Sequence, residues 1–206
     1  MTTRGDYEGL LSTYEWVLVG WLAFVLLAIA FAVVRYRRRP PEAASRRSEA
    51  TVVEILYALV IGGFVGFLVY HTFSTEHRVD TIPARASSTI HVTAFQWGWR
   101  FDYPGGATVV GDQNHPPTAA VPARVAIRFT GESRDVNHAF YVPGLKFKRD
   151  VNPRTANVWG MVFPRGSYEG ECAEFCGLNH TGMAFRIVAL SRPDYDRWLS
   201  EHGGSG

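Results

Sequence analysis

Nineteen consecutive residues, Trp16 to Val34, carry no charged side chain. At about 1.5 Å per residue, a helix of that length crosses a bilayer core of roughly 30 Å. A second apolar run, Val52 to Phe73, follows closely, with Glu54 near its start and His71 near its end. In lipid the backbone has no water to bond, so each run must close its own hydrogen bonds as a helix. Between the runs, Arg35, Arg37, Arg38, Arg39, Arg46 and Arg47 stand against only Glu42 and Glu49, while the segment before the first run has Arg4 against Asp6, Glu8 and Glu15. The positive-inside rule places that loop in the cytoplasm. The N-terminus and everything beyond the second run then face outward. This predicts an N-terminal part, residues 1–76, with membrane helices at 15–35 and 52–73, and an extracytoplasmic domain at 77–206. A cleaved signal peptide ending near Ala28-Ile29-Ala30 competes with this reading. Such a peptide wants a basic start and a shorter apolar core, whereas here the start is acidic and the arginines come afterwards.

Two features of the second run bear on partners. Gly62 and Gly66, with Gly63 beside them, have the spacing that lets helices approach closely. That approach can be within the hairpin or against another subunit. A carboxylate entering a membrane helix is costly and usually marks a function or a partner. Glu54, however, lies about one turn inside the cytoplasmic end, where it also reaches water.

After residue 76 the period changes. Ile90, Val92 and Ala94 alternate with His91, Thr93 and Phe95, and Val125, Ile127 and Phe129 alternate with Ala126, Arg128 and Thr130. Thr155 to Phe163 and Ala184 to Leu190 also read as strands. Pro104-Gly105-Gly106, Pro116-Pro117, Val142-Pro143-Gly144 and Pro164-Arg165-Gly166 punctuate them. Short strands with frequent turns predict an all-β, antiparallel sandwich or barrel. Ser191, with Asp194 three residues on, opens a short helix through Leu199, and His202 to Gly206 read as a disordered tail. A net charge of +2 gives no footprint for nucleic acid, and two cysteines exclude a multi-disulfide scaffold.

Those cysteines concentrate the chemistry. Cys172, Cys176, His180 and Met183 fall within 12 residues. Thiolate, imidazole and thioether are the soft and borderline ligands that suit copper. A single blue-copper site takes one Cys, two His and a weak axial Met, and His138 is the natural upstream histidine. Cys172 is then surplus, and a second thiolate four residues from the first lets both sulfurs bridge a metal pair. Three other readings stand beside this one. A Cys172–Cys176 disulfide is compatible with an outward-facing domain but leaves His180 and Met183 without a role. A helix stacking the same residues is weakened by Gly170, Gly177 and Gly182. Zinc takes Cys/His sets but has little use for the thioether.

The ligand loop reads C-x-E-x-C-x3-H-x2-M with His138 upstream, and in this the chain resembles subunit II of cytochrome c oxidase over nearly its whole length. The resemblance implies a two-helix transmembrane hairpin followed by an all-β cupredoxin-like Greek-key sandwich. It implies a dinuclear copper centre (CuA) held by His138, Cys172, Cys176, His180 and Met183 with the Glu174 carbonyl. It further implies a magnesium or manganese ion on the Glu174 carboxylate at the border with subunit I. Trp97, in Phe95-Gln96-Trp97-Gly98-Trp99, matches the tryptophan that admits electrons from cytochrome c, and Glu54 matches a carboxylate near the mouth of a proton path. The implied activity is that of the electron-input subunit of a proton-pumping terminal oxidase. Haem and the oxygen-reducing site lie in subunit I, subunit III is a further partner, and the location is the plasma membrane of a bacterium. The sequence departs from the family at Gly98, where an aromatic residue is usual. Residues 77–206 also hold 14 basic against 12 acidic residues, so steering of a basic donor needs a local patch, for which Glu132, Asp135 and Asp150 are available. A nitric-oxide-reducing relative, a copper-free quinol oxidase subunit and a tethered copper carrier remain as other classes; the intact ligand set argues against the second and a buried five-ligand site against the third.

Overall fold

A computed structural model describes residues 3–38, 50–80 and 86–203. The arginine-rich loop, from Arg39 to Glu49, falls outside them, as do residues 81–85 and the last three glycine- and serine-containing positions. The chain divides into two compact units, one of Glu8–His77 and one of Met1–Tyr7 with Arg78–Gly206.

The first unit is built from two helices, α1 (Thr3–Tyr36) and α2 (Thr51–Asp80). Both are long and apolar enough to cross a membrane. Each outruns its apolar block, because the polar residues that flank the block keep the helical hydrogen bonding. Ser74 and Thr75, for example, both donate their hydroxyls to the His71 carbonyl. Trp21 and Phe64 meet edge to face at 5.3 Å, and Tyr14 donates to the Leu68 carbonyl at 3.3 Å. The glycine stripe is not part of this contact: a Cβ at Gly62, Gly63 or Gly66 would meet nothing within 4 Å among the described residues. Glu54 sits in the first turn of α2, where its carboxylate accepts from the Ala50 backbone N–H at 3.3 Å. It thereby answers one of the amide groups that a helix start leaves open.

The second unit is a β-sandwich. Its strands are β1 (Thr89–Phe95), β2 (Gly98–Asp102), β3 (Thr108–Asp112), β4 (Thr118–Pro122), β5 (Ala126–Ser133), β6 (His138–Val142), β7 (Phe147–Val151), β8 (Asn157–Val162), β9 (Gly166–Cys172) and β10 (Ala184–Leu190). One sheet runs β3-β2-β1-β5-β8 and the other β4-β10-β9-β6-β7. Pairing is antiparallel except for β1 with β5 and β4 with β10. Alternation explains β1, β5 and β10, which bury Ile90, Val92, Ala94, Ile127, Phe129, Phe185 and Ile187 on one face. Aromatic rings from both sheets meet in the centre: Trp99 lies 6.1 Å from Phe140 and 5.1 Å from Phe185, and the latter two stack at 4.6 Å.

A last helix, α3 (Arg192–His202), closes the unit. Ser191 caps it by accepting from the Asp194 N–H, as its spacing predicts. The helix continues past Leu199, and His202 is not part of a disordered tail. Its ring stacks on Trp198 at 4.3 Å, its Nδ1 lies 2.9 Å from the Trp198 carbonyl, and the Gly203 N–H bonds the Leu199 carbonyl.

Candidate metal centre

The cysteine loop is the connection between β9 and β10. These neighbours pair antiparallel, and the Cys172 N–H donates to the Met183 carbonyl at 3.0 Å, closing the loop at its base. Cys172 ends β9, Cys176 lies in the loop, His180 opens a single 3-10 turn (His180–Gly182), and Met183 immediately precedes β10. His138 comes from the start of β6, the strand on the other side of β9. The topology therefore brings all five residues to one end of the sandwich.

The two thiols are free and buried, with their sulfurs 3.8 Å apart. A disulfide needs about 2.05 Å, whereas two thiolates on one tetrahedral ion with bonds near 2.3 Å stand about 3.8 Å apart. His138 Nδ1 lies 3.7 Å from the Cys172 sulfur, and His180 Nδ1 lies 3.5 Å from the Cys176 sulfur. Met183 Sδ is 3.8 Å from Cys176. The Glu174 carbonyl oxygen is 3.3 Å from Cys172. His138, Cys172 and Cys176 offer three ligand atoms within 4.8 Å of one another, all buried. His180 is half-buried at the rim. The donor set is soft, dry and convergent, and it fits a thiophilic metal.

A second layer orients these ligands. His138 presents Nε2 to Asp135 at 2.8 Å, so an Nε2–H donated there leaves the Nδ1 lone pair facing the sulfurs. Burial works against a charged His138, but the Cys172 and Asp135 hydrogen bonds outweigh it and raise its pKa. Burial likewise opposes ionisation of Cys172, yet the hydrogen bonds from His138 and the Ala139 backbone bring its thiol below the usual range. Burial, and then the neighbouring Cys172, push Cys176 the other way. The pair thus gives up one proton readily and holds the second. A bound cation changes that balance by favouring both thiolates.

Several other sequence-predicted residues have definite places. Trp97 and Gln96 form the turn between β1 and β2, and Trp97 donates its indole N–H to the Cys176 carbonyl at 3.2 Å. Trp97 is therefore against the ligand loop, whereas Trp99 is the core tryptophan and bonds the Met183 carbonyl at 3.3 Å. Gly98 is enclosed: a Cβ there would lie 2.3 Å from the Gly111 carbonyl and 2.7 Å from the Phe95 ring. Glu174 is half-buried and its carboxylate meets Lys148 at 3.1 Å. Of the local acids, Glu132 faces His91 at 3.3 Å, Asp135 faces His138, and Asp150 faces Lys148 at 3.7 Å. Asp135, read from sequence only as surface charge, thus holds a candidate ligand. The Asp135-x-x-His138 spacing is the signal that could have found it.

Residues 117–190 match the model of the family "Cytochrome C oxidase subunit II, periplasmic domain". A probable cytochrome c oxidase subunit 2 of Rickettsia bellii is 28% identical over 86% of this chain and 72% of its own length. The cytochrome c oxidase subunit 2 of Candida glabrata is 26% identical over 95% of this chain and 87% of its own. The crystal structure of the periplasmic domain of cytochrome oxidase subunit II from Bradyrhizobium japonicum aligns with a TM-score of 0.54 at 27% identity. That alignment covers 59% of this chain and 96% of the other. The chain is thus similar to cytochrome c oxidase subunit II proteins, its sandwich matching their periplasmic domain. Two long apolar helices followed by a cupredoxin-like sandwich are the architecture of a subunit II with a periplasmic domain. Other Rickettsia relatives are longer, and the chain spans 61% of their length.

Proposed function

We propose that this chain is the electron-input subunit of a haem–copper terminal oxidase, holding two copper ions between Cys172 and Cys176. The observation that carries this reading is the pair of unbonded, buried sulfurs 3.8 Å apart, with His138 on one side and His180 on the other. Cys172, Cys176, His138, His180, Met183 and the Glu174 carbonyl would hold the copper pair, which would supply one-electron transfer.

The chain's own residues do the rest. Burial of Cys172, Cys176, Met183 and His138 keeps water from the ligands. Asp135 holds His138 in one tautomer. Trp97, half-buried and bonded to the carbonyl of a cysteine ligand, gives an electron from an outside donor such as cytochrome c a short route inward. His180, half-buried at the rim, would pass the electron on to haem in subunit I, where oxygen would be reduced to water. In this reading the sandwich and the N-terminus face outward from a bacterial plasma membrane, and subunits I and III cover the hairpin. Glu174 would share a magnesium or manganese ion with subunit I after releasing Lys148, and Glu54 would stand near a proton-path mouth. In this reading the haems belong to subunit I, so the chain relays electrons and subunit I does the oxygen chemistry.

The test is copper stoichiometry and spin delocalisation in the full chain loaded in detergent. Two coppers per chain, a purple colour and an unpaired electron shared over both ions are expected. Cys172→Ser should abolish the shared signal while the chain stays folded. One copper with a blue spectrum, or a shared signal that survives Cys172→Ser, sinks the proposal. Haems and subunits that co-purify through a tag on this chain identify the terminal acceptor.

A further inference from the structure

The β1–β2 corner is fastened to the ligand loop by more than the Trp97 indole. The Gln96 side-chain amide donates to the same Cys176 carbonyl at 2.7 Å. A carbonyl oxygen has two lone pairs, and here Gln96 and Trp97 take both. On the other side, the Gln96 backbone N–H donates to Asp135 Oδ2 at 2.7 Å. The other oxygen of that carboxylate holds His138 at 2.8 Å. A third tie fixes the turn from outside, since the Trp97 carbonyl accepts from the Gln113 N–H at 2.9 Å. Room for this arrangement comes from Gly177. Its φ of +117° favours glycine, and a Cβ there would lie 3.1 Å from the Gln96 amide nitrogen and 3.2 Å from the Trp97 ring.

We infer that Gln96 is a positioning residue for electron transfer, clamping the Trp97 indole against the Cys176 carbonyl. Resting on the reading of Trp97 as the inward route, this explains how a half-buried corner keeps one ring orientation. The Trp97 hydrogen bond alone leaves the indole free to swing about it. With Gln96 occupying the second lone pair and Asp135 anchoring the backbone, the ring plane and its distance from the ligand are set together. Gln96 meets the Cys176 carbonyl and not the Cys176 sulfur, so it acts through Trp97.

The experiment uses the full copper-loaded chain in detergent. In the wild type, hydrogen exchange of the Trp97 indole N–H is followed by NMR, its signal assigned by its loss in Trp97→Phe. Protection is expected, and exchange at the rate of a solvent-exposed indole overturns the inference. Gln96→Leu keeps the bulk and removes the amide. It should leave the copper spectrum unchanged, speed indole exchange by about five-fold, the weight of one ordinary hydrogen bond, and slow reduction by a soluble basic cytochrome c to a similar degree. Reduction by dithionite should not change. No change in exchange, or equal slowing with both reductants, overturns the clamp. Should Gln96→Leu fail to take up copper, Gln96→Met replaces it, and the wild-type exchange result stands by itself. Trp97→Phe separates the two ideas: if it leaves reduction by the cytochrome unchanged, the inward route fails while indole exchange still decides the clamp.

Discussion

Gly170→Ala tests how tightly the ligand loop is coupled to the core beneath it. Gly170 lies on β9 opposite Phe185 on β10, two residues before Cys172. A methyl group there would sit 2.1 Å from Phe185 Cε2 and 2.2 Å from Cζ. Ordinary contact is about 3.5 Å, so the ring must retreat by more than about 1 Å. It has nowhere to go, because Phe185 is fully buried, stacked on Phe140 at 4.6 Å and edge-on to Trp99 at 5.1 Å. Overpacking of this kind costs about 1–3 kcal/mol, and the entropy gained by replacing glycine returns at most about 1 kcal/mol. A net loss near 2 kcal/mol lowers the melting temperature of a sandwich this size by about 8 °C. Near-ultraviolet circular dichroism of the full chain in detergent measures it. Phe185→Leu removes the obstruction, so the double variant should be more stable than the sum of the single losses by about 1 kcal/mol. A melting temperature for Gly170→Ala within about 1 °C of wild type, or strict additivity in the cycle, would show that the ring is not confined as described.

Two further outcomes are expected. Arg100 donates to both oxygens of Asp102, at 2.9 and 2.8 Å, and thereby holds its carboxyl below the usual range. The stabilisation from this pair is therefore complete above the ordinary carboxylate pKa and fades as pH falls through the lowered one. Acid unfolding of Asp102→Asn should lose part of its slope below about pH 4, and an unchanged acid limb in denaturant titrations would rule this out. Copper at 1,000 times its dissociation constant should stabilise the sandwich by about 4 kcal/mol. A copper chelator should reverse that shift, and Cys172→Ser should abolish most of it; a metal-independent melting temperature would contradict the site.

The sequence disclosed some parts of the molecule far better than others. Apolar run length announced α1 and α2, because lipid imposes it. Alternation announced β1 and β5, whose burial follows it except at Thr93, and strand-like runs announced β8 and β10. Six strands were silent. β4, Thr-Ala-Ala-Val-Pro, is buried on nearly every residue and so shows no period. β9, Gly-Ser-Tyr-Glu-Gly-Glu-Cys, is polar and glycine-rich, and it is a strand because β10 and β6 flank it. β2, β3, β6 and β7 are five residues each, too short for a pattern. The candidate metal residues were legible because four of them share one loop, and soft donors that dense have few other uses. Most of their supports were not: Gln96 and Lys148 reach the site from distant strands and turns, and only the pairing of strands shows whom they meet, whereas Asp135 lies three residues from His138.

The hydrogen bond from Cys172 to Met183 is the last rung of a ladder that begins at Gly166 opposite Ala189. Side chains on neighbouring rungs point to opposite faces. Sliding β9 past β10 by a single residue would turn a coordinating sulfur outward and leave the thioether without a counterpart. Under the proposed copper site, metal affinity is therefore written partly in residues at the foot of this hairpin, far from the converging sulfurs. Substitutions that loosen the Gly166 end should reveal themselves first as leakage of metal, before any loss of secondary structure.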